Sequence, residues 1–191
     1  GEDVTTPTVP PPLRRSEPSC VSEWRTLDQQ GLETVESVSV VDVATATVAP
    51  TQSLTLTTIK PLTTTIHVPA GAVTAPLTLT LSSLAVPSFP PTPPWVVWGG
   101  RAFSLTAQRE GQVVGSGALS TPFTVTVDFY GAQEYRWMLM HWVSPTWEIA
   151  RCAGQMGVVG VDRIEQVVCN GLGEYTIAAA PDTWYLPIIR R

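Results

Sequence analysis

Hydrophobic and polar side chains alternate with a period of two along most of this chain, from Val38 onward. In the segment from Leu77 to Ser82, for example, leucine occupies every second position and threonine or serine stands between. A period of two places successive side chains on opposite faces of an extended strand, so the pattern predicts β-strands with one buried face. The predicted strands span residues 38–45, 54–58, 64–68, 77–82, 96–98, 102–107, 112–115, 123–129, 135–143, 147–152, 164–169, 175–180 and 184–189.

Turn residues separate these strands. They stand at Pro50, Lys60-Pro61, Pro69 to Gly71 and Ala75-Pro76, where proline ends a strand and glycine permits the chain to reverse. Many short strands at regular spacing are typical of an all-β fold, and they predict an antiparallel β-sandwich.

The pattern divides the chain into an extended tail, residues 1–19, and a single β-sandwich domain, residues 20–191. Five prolines in the tail deny it the backbone donors of a helix or a central strand, so we expect a polyproline-like segment. The tail packs on its own domain or on a neighbouring chain, and its aliphatic anchors are Val4, Val9 and Leu13. Glu23 to Gln30 is a short helical candidate, and the proline-dense stretch from Val86 to Pro94 is predicted to be a long loop.

One predicted strand, Tyr135 to Val143, is bulky on both faces. Tyr135, Trp137, Leu139 and Val143 lie on one face, and Met138, Met140 and Trp142 lie on the other. A strand that is apolar on both sides must be covered on both sides. Either loops of the same chain wrap over its outer face, or a partner protein covers it.

The composition changes this picture by making the surface unusually uncharged. Charged residues are 14% of the chain, the mean hydropathy is +0.14 and the net charge is -5. An acidic chain with so few charges does not suit nucleic acid. No segment approaches the roughly 20 apolar residues of a membrane helix, so we expect no membrane span. Lys60 and Asn170 are the only lysine and asparagine, which indicates either a thermophilic source or the codon bias of a GC-rich genome.

The cysteines indicate an oxidising compartment. Cys152 and Cys169 flank a glycine-rich stretch and are predicted to form a disulfide. We therefore expect an exported protein, extracellular or at the cell surface, whose leader has been removed. Cys20 is then left over, either as a buried thiol or as an inter-chain link. The spacing matches no zinc site.

Catalytic patterns are weak. The best base is His141 with Asp128 or Ser144, but no G-x-S-x-G elbow accompanies them, so His141 and His67 are predicted to be core or rim histidines. The carboxylates form no calcium loop. The sequence therefore predicts a non-enzymatic protein without a metal or cofactor.

Several tryptophans offer a second kind of site, because exposed indoles on a sandwich can stack on sugar rings. Trp142 and Trp147 are predicted to serve the core. Trp95 and Trp98, beside the proline-dense loop, are the predicted surface pair and a candidate glycan platform.

Two segments resemble a known family. Thr65 to Val73, followed by Leu77 to Leu81, resembles the strand-turn-strand signature of ZU5-like sandwiches. Further similarity to domains of bacterial secreted and surface proteins lies in Ala102 to Ala107, Gly111, Pro122 to Tyr130, Glu134, Trp142 and Trp147. The ending, Trp184 to Arg191, is similar to the ends of exported proteins in filamentous phototrophic bacteria. The resemblance implies a ZU5-like or Ig-like sandwich.

Some ZU5 relatives cleave themselves at a His-Phe-Ser step on a late strand. The comparable strand here, Gly173 to Ala178, has no histidine before a hydroxyl residue, so the resemblance does not imply self-cleavage.

The function that these features favour is that of a structural subunit in an extracellular or cell-surface assembly, such as a filament, sheath or surface layer. It is expected to bind copies of itself or other surface proteins, by exchange of a tail or strand. The alternative is a carbohydrate-binding or adhesion module that binds polysaccharide through surface tryptophans.

Overall fold

The computed structural model describes residues 21–27, 33–85, 97–130, 135–143, 146–153, 157–160, 162–169 and 171–181. These ranges contain no α-helix and only one turn of 3-10 helix, Ser116–Ala118. The strands are β1 (Val21–Leu27), β2 (Glu33–Val48), β3 (Leu54–Thr58), β4 (Thr64–Val68), β5 (Leu77–Ala85), β6 (Val97–Arg109), β7 (Gln112–Val114), β8 (Phe123–Asp128), β9 (Tyr135–Val143), β10 (Thr146–Ile149), β11 (Val158–Val159), β12 (Arg163–Val168) and β13 (Gly173–Pro181).

The strands form two sheets that pack face to face. The large sheet has the order β1-β2-β5-β6-β13-β9-β10, with β7 also paired to β6, and the small sheet has the order β11-β12-β8-β4-β3. Every strand pair is antiparallel. The predicted antiparallel β-sandwich is confirmed.

The core lies between the sheets and follows the period of two. In β8, Phe123, Val125 and Val127 are buried while the intervening side chains are only half-buried. In β5 the leucines at 77, 79 and 81 are fully buried, and each such side chain contributes about 1.5–3 kcal/mol through the hydrophobic effect.

The turn between β4 and β5 has the predicted form. Gly71 has φ +84°, a value that glycine adopts without steric cost, and Ala72 N–H donates to Pro69 C=O at 3.3 Å. The predicted turn at Pro69 to Gly71 is confirmed.

The disulfide between Cys152 and Cys169 is also confirmed. Cys152 follows β10 of the large sheet and Cys169 follows β12 of the small sheet. The bridge therefore joins the two sheets at one lateral edge of the sandwich.

Other boundaries differ from the sequence prediction. The helical candidate is wrong for residues 23–27, which belong to β1 and pair with residues 33–37 of β2. Residues 23–27 do not alternate strictly between hydrophobic and polar side chains, so their strand conformation depends on pairing with β2. Residues 97–98 of one predicted strand and the whole of the predicted strand 102–107 belong to a single strand, β6, which has Gly100 in a left-handed conformation between them.

Candidate assembly surface

The strand β2 has different neighbours along its two halves. Ser39 pairs with Val21 of β1 and with Ala85 of β5. One residue cannot have two partners in the same place, so β1 and β5 flank opposite sides of β2. Residues 33–39 pair with β1, whereas residues 39–48 pair with β5.

Among the strands of the described ranges, residues 40–48 consequently lie at a sheet edge. On the side away from β5, no strand within the described ranges pairs with them. We call this side the β2 edge. A row of unpaired backbone donors and acceptors is a template for another extended segment.

Asp42 shapes one end of the β2 edge. The strand bulges between Val40 and Asp42, and the Asp42 carboxylate accepts hydrogen bonds from the N–H groups of Ile59 (2.7 Å), Lys60 (3.2 Å) and Val43 (3.0 Å). These donors, Ile59 foremost, hold the pKa of Asp42 below its ordinary value against a smaller effect of desolvation. Asp42 thereby ties the large sheet to the loop between β3 and β4 of the small sheet.

Threonine hydroxyl groups line part of the outer face of each sheet, on β2 and β5 and on β3 and β4. These groups bond across neighbouring strands, as in Thr45 with Thr80 (3.1 Å), Thr47 with Thr78 (3.0 Å) and Thr57 with Thr65 (3.1 Å). His67 belongs to the same pattern through Thr55 (3.1 Å). The low charge of the sequence therefore reflects in part these neutral hydroxyl rows.

A second part of the large sheet's outer face is apolar. Trp142 pairs with Trp147 across β9 and β10, and the two rings meet edge to face at a centroid distance of 5.2 Å. Both are half-buried, as are Met138 and Met140. Trp147 packs against a second buried cluster, formed by Leu84 and Ala102, so its predicted role in core packing is confirmed. The inward positions of β9 between the two sheets belong to Trp137, Leu139 and His141.

His141 lies in the core, as predicted. Its side chain is 5% exposed, its ring stacks on Tyr175 at 4.6 Å, and Nε2 donates to the carbonyl of Leu172 at 3.3 Å. Burial lowers the pKa of His141, although the Leu172 carbonyl and the charge of Glu148 oppose this effect. The Tyr175 hydroxyl donates to the carbonyl of Gly171, and burial raises its pKa.

The candidate catalytic groups do not come together. Asp128 lies on the small sheet and accepts a hydrogen bond from Arg163 at 2.7 Å, whereas His141 lies inside the large sheet. Ser144 is outside the described residues. Among the residues that the structure describes, His, Cys, Asp and Glu form no group suited to a metal ion, and no helix is long and apolar enough to cross a membrane.

Several predicted site residues lie outside the described ranges. They are the tail 1–19 with Val4, Val9 and Leu13, the thiol Cys20, the loop 86–94, Trp95 and the strand 184–189. Trp98 belongs to β6 opposite Ala178, but its side chain is not described.

The β2 edge is the feature that sequence analysis missed. The hydrophobic run from Val38 predicts a strand, but a strand's neighbours depend on pairings between distant parts of the chain. The only local signal is the length of the β-branched run before Pro50.

Comparisons with known proteins do not assign a family. No family model matches the chain, and a search of curated proteins finds no significant similarity. The ZU5-like resemblance stays a prediction.

Proposed function

We propose that this protein is a non-enzymatic structural subunit of an extracellular or cell-surface assembly, such as a filament, sheath or surface layer. The observation that carries the proposal is the β2 edge. An extended segment that docks there gains main-chain hydrogen bonds, while neighbouring side chains fix its register.

Two further features support this proposal. Parts of the outer faces are neutral threonine rows, which bring little charge repulsion to the approach of a second copy. The disulfide between Cys152 and Cys169 suits an oxidising compartment outside the cytoplasm. A ZU5-like domain of a bacterial surface protein, from a thermophile or a GC-rich organism, agrees with both features.

The test is the particle size of the full chain by light scattering over a range of concentrations. We expect growth with concentration in the native chain and a loss of growth in Thr45→Lys, since edge lysines oppose strand pairing. Thr106→Lys is the matched control. Thr45 pairs with Thr80 of β5, which pairs with Thr106 of β6, so Thr106 is exposed on the same face of the sheet but lies two strands away from the edge. A native chain that stays monomeric at every concentration would contradict the proposal.

A carbohydrate-binding or adhesion module is the second candidate. It rests on the predicted surface pair Trp95 and Trp98. The half-buried ring of Trp142 on the outer face of β9 favours it further, since the exposed part of an indole can stack on a sugar ring. Electrophoresis in gels that contain polysaccharide tests it. If polysaccharide retards the native protein, and Trp142→Ala or Trp98→Ala abolishes this retardation, the result would support this candidate. Unchanged migration of the native protein would oppose it.

A further inference from the structure

An open pocket of about 300 Å³ lies at one end of the sandwich, between the β4–β5 turn, the β6–β7 hairpin and the loop that precedes β8. The described residues that line it include Thr74, Arg109, Val114, Gly115, Ala118 and Ser120. We infer that this pocket binds a sugar acid, whose carboxylate contacts Arg109 and whose hydroxyl groups contact Thr74 and Ser120. None of the described lining residues belongs to β2, so the inference is independent of the proposed function.

Arg109 stands where the alternation of β6 would place a core side chain. Phe103, Leu105 and Ala107 point into the core and are at most 1% exposed, and Arg109 follows two residues after Ala107 in the same strand. Its backbone pairs with Gln112 across the tight β6–β7 hairpin. The pattern therefore brings a guanidinium to the end of the core, where a hydrophobic side chain would otherwise close the sandwich.

The guanidinium of Arg109 needs an acceptor. Its Nε is buried without a hydrogen-bond partner among the described residues, in contrast to Nε of Arg163, which donates to Asp128 at 2.7 Å. A buried donor that stays unpaired costs free energy, so a ligand that supplies an acceptor is stabilised there.

The charge of the pocket selects the kind of anion. Arg109 is the only charged side chain among the described residues that line it. A carboxylate carries a single negative charge and fits the planar fork of a guanidinium. A phosphate ester carries about two negative charges at neutral pH and would leave part of its charge unpaired. The pocket therefore suits a monocarboxylate.

Two hydroxyl groups suit the rest of a sugar acid. The Ser120 hydroxyl donates to the carbonyls of Gly71 (3.3 Å) and Ala72 (3.1 Å), so its lone pairs remain free to accept from a ligand hydroxyl. Thr74 is exposed at the same pocket, and its hydroxyl can donate or accept. The hydroxyl groups of a sugar ring provide both kinds of partner.

Hydrogen bonds between and within the loops hold the pocket in shape. The N–H of Ser120 donates to the Ala72 carbonyl at 2.8 Å, and the N–H of Ala118 donates to the Gly115 carbonyl at 3.1 Å. Val114 and Ala118 pack against the core and offer apolar contact to the C–H groups of a ring. The volume lies at the lower end of the range for small-molecule sites, which matches one sugar unit.

Nuclear magnetic resonance of the isotope-labelled full chain, titrated with D-glucuronate, tests the inference. We expect saturable shifts in the Gly115 amide signal and in the Arg109 Nε–H signal. Glucose lacks the carboxylate, propionate lacks the hydroxyl groups, and glucose 6-phosphate carries a dianion instead. Each should bind at least about tenfold more weakly, because each loses a charge-assisted bond or its hydroxyl contacts.

Three variants locate the site. Arg109→Gln should weaken the binding of glucuronate about tenfold or more, whereas Arg151→Gln, an exposed change outside the pocket lining, should leave it unchanged. Gly115→Leu should obstruct the pocket. A Cβ at Gly115 would meet no atom within 4 Å, and its φ of -78° is open to any residue, so the fold tolerates this change.

The outcomes decide both the site and the ligand class. Weaker binding in Arg109→Gln and Gly115→Leu, with native binding in Arg151→Gln, supports the inference. No saturable shift in the native chain overturns it, as does native binding in Arg109→Gln; if that variant does not fold, Gly115→Leu decides in the same way. Equal binding of glucose or glucose 6-phosphate overturns the choice of a carboxylate, and equal binding of propionate overturns the choice of a sugar acid.

Discussion

At the scale of single residues, the most informative side chain is the imidazole of His141, which titrates but is almost completely buried in the core. His141 stacks on Tyr175, and Nδ1 has no hydrogen-bond partner among the described residues. Gly173 makes room for the ring, since a Cβ there would lie 2.6 Å from Nε2, and its φ of +145° is one that other residues rarely adopt. The fold is therefore built around the neutral form of His141.

This arrangement predicts acid sensitivity. The folded pKa of His141 lies below its ordinary value of 6.5, so the unfolded chain binds a proton first as the pH falls. Stability is complete above about pH 6.5 and decreases below it, by at most about 1.4 kcal/mol per pH unit, until the folded ring also titrates. Urea unfolding at a series of pH values measures this slope.

The two histidines of the chain provide a matched comparison. His141→Gln keeps a donor for Leu172 and should flatten the slope between the ordinary and the folded pKa. His67→Gln, on the outer face of the small sheet, should leave the slope in place. A slope that persists in His141→Gln would assign the acid sensitivity to other groups.

At the scale of elements, alternation predicted the strands that have one buried face. The bounds of β3, β4 and β9 are as predicted, because their own side chains decide which face is buried. The sequence pattern failed for β1 and did not indicate which face of β9 is the outer one. Those features depend on which strand lies alongside, and a pairing between distant segments leaves no local pattern.

Asp42 connects elements of different sheets, and its removal should loosen them. Asp42→Ala deprives three N–H groups of their acceptor, and we expect a loss of about 1 kcal/mol after allowance for solvent screening. Because the folded pKa of Asp42 is lowered, its contribution is present above about pH 4 and is lost as the pH falls through the folded value. Ser39→Ala, an exposed change on the same strand, is the control in denaturant titrations, and equal midpoints for both variants would contradict this role.

At the scale of the whole molecule, the sandwich is fastened along both lateral edges. Asp42 joins β2 to the small sheet on one side, and the disulfide joins the ends of β10 and β12 on the other. The cysteine spacing predicted the bridge, but that it links the two sheets became apparent only from the topology.

Removal of the bridge should therefore destabilise the whole sandwich. For a sequence separation of 17 residues, the chain-entropy model gives about 3 kcal/mol. The double variant Cys152→Ala and Cys169→Ala should lower the thermal midpoint, and reduction of the native protein should have the same effect. A double variant as stable as the native protein would show that the bridge adds nothing to the fold.

The succession of antiparallel pairs from β1 through β2, β5 and β6 to β13 has a mechanical consequence. Since each pairing reverses the direction, β1 and β13 run parallel to each other. A pull on Val21 and an opposite pull on Pro181 are then directed along the strand axes, away from each other. Such tension loads each intervening ladder in shear, so its hydrogen bonds resist together rather than open one at a time like a zipper. A domain of this topology is suited to carrying load from one end of its large sheet to the other.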